Sequence, residues 1–237
     1  MTRWQAPAAL VDTASSRYHP AGRFAVHFAR GKLGGDPAFT ALLALGVLSG
    51  RQHILDLGCG QGLLTAWIWA AQQLHAAGRW PAQWPDAPRP QSMRGIERMG
   101  PDVQRARRAL GTLAEFSTGD IRTASYGTAD AIVILDVLHY MEPASQVEVL
   151  RRVHAALTPG GVLLTRVGDA DGGLPFHFSK WVDRTVLMFR GQGFAPLYCR
   201  PLSGWLELLR QIGFNTRTVP MKAGTPFANV MLIAHRP

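Results

Sequence analysis

The run Asp56-Leu57-Gly58-Cys59-Gly60-Gln61-Gly62 carries the strongest chemical signal in the chain. It follows an apolar stretch and precedes a helical pattern from Leu63, so it reads as a strand ending in an acid and then a glycine loop. Such turns let the backbone come close to a ligand and aim helix N-terminal N–H groups at it. A dinucleotide site needs G-x-G-x-x-G, but the sixth position here is Leu63 and the third glycine comes early, at Gly62. Asp56 narrows the ligand further, because a carboxylate repels a pyrophosphate and attracts a cationic amino acid group. The loop suits a ligand with positive charge and no phosphates.

Three more acids stand where strands should end. Glu97 closes Arg94-Gly95-Ile96-Glu97, Asp120 lies in Ser117-Thr118-Gly119-Asp120-Ile121, and Asp136 follows an apolar run over 129–135. In open α/β sheets the ligand crevice lies outside the carboxyl ends of the strands. With Asp56, four successive strand ends would carry an acid. Glu97 suits the vicinal hydroxyls of a ribose, or pairs on the surface with Arg94 or Arg98. Met99 would flank a base or pack in the core. Asp120 receives a ligand or bonds its own turn.

The elements that must position these acids alternate. Strands are expected over 51–57, 93–97, 114–118, 129–135 and 161–167, with helices over 63–77, 101–110 and 145–157 between them. That alternation implies right-handed crossovers and a parallel sheet. Thr158-Pro159-Gly160-Gly161 reads as a turn, and a helix over 202–212 precedes two strands, 214–219 and 229–234, that form an antiparallel hairpin. Residues 1–50 read as a helical cap with a loop over 31–36, and Asp36-Pro37 opens a further helix. The segment 78–92, with four prolines and two tryptophans, is expected as a surface loop insertion.

The D-L-G-C-G-x-G run resembles motif I of the class I S-adenosylmethionine-dependent methyltransferases. The resemblance covers roughly residues 51–167, the cofactor half of that family. It implies an α/β, Rossmann-like seven-stranded sheet in the order 3-2-1-4-5-7-6, with the last strand antiparallel, N-terminal helices and a helical insert after strand five. It implies S-adenosyl-L-methionine as cofactor, with Asp56, Gly58, Cys59, Gly60, Gly62, Glu97, Met99 and Asp136 lining it. In the family the acid at Asp120 receives the adenine amine, and the backbone N–H at Ile121 meets the ring. The whole chain, 1–237, is expected as a single methyltransferase domain.

Methyl transfer from a sulfonium rests on positioning, and a base is needed only where the acceptor must lose a proton. His139, just past the fourth strand, is the best-placed base for a hydroxyl, although an equivalent histidine in relatives is structural. Tyr18, His27, Tyr140, His177 and Trp181 are the candidate acceptor walls, the last two in an aromatic segment over 172–201 expected as a substrate lid. Several acceptor classes are disfavoured. No Asn/Asp-Pro-Pro-aromatic run follows the fourth strand, and Cys59 and Cys199 lie away from a cytosine-C5 nucleophile position. Lys32, Asp136 and Lys180 mimic part of a ribose 2′-O tetrad, but Ala228-Asn229 stands where its glutamate belongs. A small-molecule acceptor remains, apolar or aromatic to suit the segment over 172–201. The segments Phe28-Ala29-Arg30-Gly31-Lys32-Leu33 and Trp181-Val182-Asp183-Arg184 also resemble methyltransferases encoded with bacterial aryl-polyene pigment synthesis. That likeness implies a phenolic acceptor on a carrier-tethered chain. An RNA-modifying enzyme and a cofactor-binding protein without turnover are the alternatives.

Composition sets the outer bounds. With 237 residues, 47% hydrophobic and 17% charged, the chain can bury a full core and is not a disordered one. Two cysteines make no metal or disulfide framework, so no metal is expected. No apolar run reaches the ~20 residues of a membrane span, and no signal peptide is visible, so a cytoplasmic protein is expected. The net charge of +9 is carried almost wholly by arginine, which would suit an acidic carrier protein; nucleic acid is the less favoured partner.

Overall fold

A computed structural model describes residues 4–168, 197–221 and 229–237. The expected lid over 172–201 lies almost wholly outside the described residues, and His177 and Trp181 with it.

The N-terminal cap contains α1 (Ala8–Ser16), a 3-10 turn (His19–Ala21), α2 (Arg23–Gly35) and α3 (Pro37–Ala44). The loop expected over 31–36 is not there, because α2 runs on through Gly31 and Gly34 and stops only at Asp36. Glycine's poor helix propensity costs about 1 kcal/mol per residue, and the burial of Ala25, Ala29 and Leu33 along one face of α2 offsets it. Asp36 then caps α3, its Oδ1 accepting from the Ala38 N–H at 3.0 Å.

The sheet elements follow as β1 (His53–Leu57), α4 (Leu63–Ala76), β2 (Ser92–Glu97), α5 (Gly100–Leu110), β3 (Glu115–Thr118), β4 (Ala129–Leu135), α6 (Pro143–Ala156), β5 (Leu157–Gly168), α7 (Leu202–Ile212), β6 (Asn215–Pro220) and β7 (Asn229–His235). The order is β3-β2-β1-β4-β5-β7-β6, as expected. The first five strands are parallel, and β7 enters antiparallel to both β5 and β6. β4 is covered on both faces, which explains its unbroken apolar run. One face packs on α4, α5 and the cap; the other packs on α6 and α7 through Val149, Val153, Trp205 and Leu209.

The turn expected at 158–161 is instead a bulge inside β5. Ala129 pairs with Leu157 and Ala131 with Val162, so the residues between bow out of the ladder. They pair with the C-terminal tail: Gly160 N–H donates to Arg236 O at 3.0 Å, and Arg236 N–H to Gly161 O at 2.9 Å.

The proline and tryptophan insertion is pinned at the opposite end of the sheet from the four acids. Trp80 and Trp84 meet edge to face at 5.3 Å, and Trp80 Nε1 donates to Pro85 O at 2.9 Å. Gln72 Nε2 donates to Pro88 O at 2.9 Å, and the Gln91 N–H to Gln52 O at 2.8 Å, just before β1. The loop braces the amino ends of β1 and β2.

Candidate active site

The glycine loop hangs from the end of β2. The N–H groups of Gly58 and Cys59 both donate to Ile96 O, at 2.8 and 3.2 Å. Gly58, Gly60 and Gly62 all have left-handed φ, at +78°, +54° and +81°. A β-carbon on Gly58 would stand 2.3 Å from Val137 Cγ2, and one on Gly62 would stand 2.9 Å from Leu110 and Phe116. At Gly60 there is nothing within 4 Å, so its side is open. Two of the glycines are needed for packing and one leaves room for a ligand.

Glu97 fastens the loop to the next turn. Its Oε2 accepts from the Gly60 N–H at 3.0 Å, and its Oε1 from the Met99 N–H at 2.8 Å. Each oxygen retains a lone pair. Replacing Glu97 by alanine removes both charge-assisted bonds, each worth about 1.5–3 kcal/mol. S-adenosylmethionine affinity should fall at least tenfold, and an unchanged calorimetric dissociation constant would take Glu97 out of the site.

Asp56 is different. It is 7% exposed, and among the described residues no donor or cation meets its carboxylate. Burial, with the neighbouring charge of Glu97 adding to it, pushes its pKa up to about 7. A buried carboxylate with no partner among the described residues suits an external cation. The positively charged donor that motif I implies fits this position, with Asp56, the open face of Gly60 and Glu97 as the groups that would hold it.

The remaining residues divide between the crevice and internal partners. Cys59 is buried, its Sγ packed where a β-carbon on Gly95 would come within 2.7 Å, and burial raises its thiol pKa far above the usual range. Asp120 is locked to Arg122, which donates through Nε at 3.0 Å to both carboxylate oxygens, and the Arg122 N–H adds a bond at 2.9 Å. Ile121 is buried, its carbonyl accepting from Arg152 at 2.9 Å. Asp136 pairs with Arg166 and Lys32. Tyr18, expected on the acceptor wall, is buried against the glycine loop instead. Its hydroxyl donates to Gln61 O at 3.1 Å, and burial raises its pKa well above the usual value. Gln61 in turn donates to Ala25 O at 2.9 Å, so the cap and the loop are joined twice. His27 is exposed on α2, away from these contacts.

His139 sits in a 3-10 turn (Leu138–Tyr140) past β4, its ring 4.1 Å from that of the exposed Tyr140. Its carbonyl accepts from the Tyr198 N–H at 2.8 Å. With Cys199 and Trp205 it lines a small cavity at the ends of β4 and β5. Sequence reasoning missed Gly95, Gln61 and Arg166. A lone glycine within a strand signals close backbone approach, and that signal was present at Gly95.

A seven-stranded sheet of this order, with a glycine loop after β1 and a buried acid beside it, defines a class I S-adenosylmethionine-dependent methyltransferase. Residues 25–219 match the family described as methyltransferase domain, and the chain belongs to that family. A carboxy-S-adenosyl-L-methionine synthase from Chromohalobacter salexigens is 34% identical over 139 residues, 54% of this chain and 46% of the relative. An O-methyltransferase family protein from Burkholderia thailandensis has a similar structure, with a TM-score of 0.61 at 19% identity over 94% of this chain and 63% of the other. Mitomycin 7-O-methyltransferase MmcR has a TM-score of 0.60 at 23% identity, over 95% and 61%. At these identities the structures show the fold. The chain spans about half the length of the curated relative and about three fifths of these structures.

Proposed function

We propose that this protein transfers a methyl group from S-adenosylmethionine to a small-molecule acceptor, and that the acceptor is an aromatic hydroxyl. The carrying observation is the Asp56 carboxylate, nearly buried beside the glycine loop and without a cation among the described residues. When bound, the sulfonium donor supplies an electrophilic methyl group. The chain's own residues bind, orient and exclude water. Asp56 attracts the donor's positive charge, Glu97 shapes the loop around it, and the cap is fastened to the loop through Tyr18 and Gln61. His139, at the end of β4, would take the hydroxyl proton. Likeness to an O-methyltransferase family protein and to mitomycin 7-O-methyltransferase supports the oxygen acceptor.

The RNA reading loses its best residue in this geometry. Lys32 is held by Asp136 at 3.0 Å and Asp36 at 2.8 Å. These two carboxylates raise its pKa against the opposing pull of burial, so it stays a cation and cannot serve as a base. The arginine surplus is also partly occupied within the fold. Arg51, Arg94, Arg107, Arg152 and Arg236 all donate to main-chain carbonyls. No helix among the described residues is long and apolar enough to cross a membrane.

The test is S-adenosylhomocysteine formation with hydroxyaryl acids offered free and loaded on an acidic carrier protein. Turnover only on the loaded form supports a carrier partner; turnover on neither, with activity on RNA or on amines, overturns the acceptor assignment. Replacing His139 by alanine should lower kcat at least tenfold with cofactor affinity unchanged, because general base catalysis contributes about 10²–10⁴-fold. Full activity in that variant would make His139 a packing residue.

A further inference from the structure

β4 is followed at once by the one non-glycine residue with left-handed backbone among the described residues, Asp136 at φ +58°. Aspartate and asparagine tolerate that region better than other residues with a side chain. Three donors hold the carboxylate there. Arg166 lies on β5 beside Leu135, and its Nε donates to Asp136 Oδ1 at 2.6 Å while a terminal nitrogen donates to Oδ2. Lys32 reaches Oδ2 from the cap at 3.0 Å. The other arm of Arg166 takes Asp36, which Lys32 also meets at 2.8 Å. Two carboxylates and two cations close on themselves, with Arg166 only 6% exposed.

The turn has a consequence one residue on. Val137 lies against Gly58, so close that no β-carbon fits between them. The shape of the glycine loop and the path of the chain after β4 are therefore one packing problem. Beyond Val137, the 3-10 turn bearing His139 is held by Gln146, whose Nε2 donates to Leu138 O and Met141 O, both at 3.1 Å.

We propose that Asp136 is a positioning residue, whose pairing with Arg166 and Lys32 fixes the left-handed turn that seats Val137 on the glycine loop and presents His139 to the acceptor. It acts through Val137 and the loop, without touching the donor. This rests on the donor site described above.

The test compares two double variants of equal charge, Asp136→Gly with Arg166→Met and Asp136→Ala with Arg166→Met. Each keeps the Lys32 and Asp36 pair and buries no unpaired charge. Glycine adopts φ +58° freely, whereas alanine resists it. S-adenosylhomocysteine affinity of the glycine pair should lie within about threefold of the unmodified protein, with the alanine pair about tenfold weaker. The single variant Asp136→Asn, which keeps both the turn preference and an acceptor oxygen, should retain affinity even if either double variant fails to fold. Equal loss in both doubles, or loss in Asp136→Asn, would mean that the carboxylate itself meets the donor and would overturn the proposal. Unmodified affinity in both doubles would overturn it too, since the turn would then not matter. If the unmodified protein binds no S-adenosylhomocysteine, the donor assignment fails instead.

Discussion

Replacing Asp56 by asparagine should make the unliganded protein more stable and sharply weaken its binding of S-adenosylmethionine. The carboxylate is buried with no cation beside it among the described residues, and its pKa rises from 3.8 to about 7. A tenfold change in proton affinity corresponds to about 1.4 kcal/mol, so the folded state bears up to about 4 kcal/mol of penalty at neutral pH. Asparagine has nearly the same shape without the charge. At about 2–4 °C per kcal/mol for a chain of this size, the thermal midpoint should rise by up to roughly 8–16 °C. Removing one partner of a buried charge pair costs about 2–5 kcal/mol of binding, so donor affinity should fall at least thirtyfold. A variant that is neither stabilised nor impaired in binding would remove Asp56 as the donor's counter-charge.

The sign of the pH dependence follows from the same residue. Its folded pKa lies above the unfolded one, so the folded state holds the extra proton between about pH 4 and pH 7. The penalty is absent below that window and complete above it. Stability of the unliganded protein should therefore decline as pH rises through it, and the Asp56→Asn protein should lack that decline. Donor affinity should move the other way, rising with pH as the carboxylate ionises. Near pH 6 donor binding should release protons, measurable by calorimetry in buffers of different ionisation heat. Flat melting profiles at pH 5 and pH 8 in both proteins would show that the carboxylate is ionised throughout.

Much of this was legible in the sequence, for reasons that can be located. β4 and α7 were bounded to the residue because an unbroken apolar run and a strong amphipathic repeat each leave little choice. The glycine loop was legible because left-handed backbone at three nearby positions demands glycine. The helix through Gly31 and Gly34 was not, since local propensity favours a loop and only packing against the neighbouring helices decides otherwise. Charge pairing was least legible. Asp136 meets an arginine 30 residues away, and the contact exists only because β4 and β5 lie in a register that sets Leu135 beside Arg166. Asp120 and Arg122 are two residues apart, yet position alone could not separate a turn bond from a ligand contact.

Arg166 should be the substitution with the largest cost to stability. It stands in Val162-Leu163-Leu164-Thr165-Arg166-Val167, a buried strand, and is the only group reaching both Asp36 and Asp136 apart from Lys32 among the described residues. Replacing it by methionine fills much of the volume but leaves two carboxylates facing one ammonium. Breaking a buried pair in this way costs about 3–5 kcal/mol, a large part of the roughly 5–15 kcal/mol that holds a domain folded. The thermal midpoint should fall by about 10 °C or more. The neighbouring cations hold both carboxyl pKa values below the usual range in the intact protein, despite burial. Their contribution is therefore present above about pH 4 and is lost only as pH falls through the lowered folded values. In the variant the uncompensated carboxylate takes up a proton more readily, so acid relieves the defect. The gap in midpoint between the two proteins should be widest near pH 7 and narrow towards pH 4, and Asp136→Asn added to Arg166→Met should recover part of it at neutral pH. A gap that is the same at both pH values would mean that Arg166 contributes packing rather than charge.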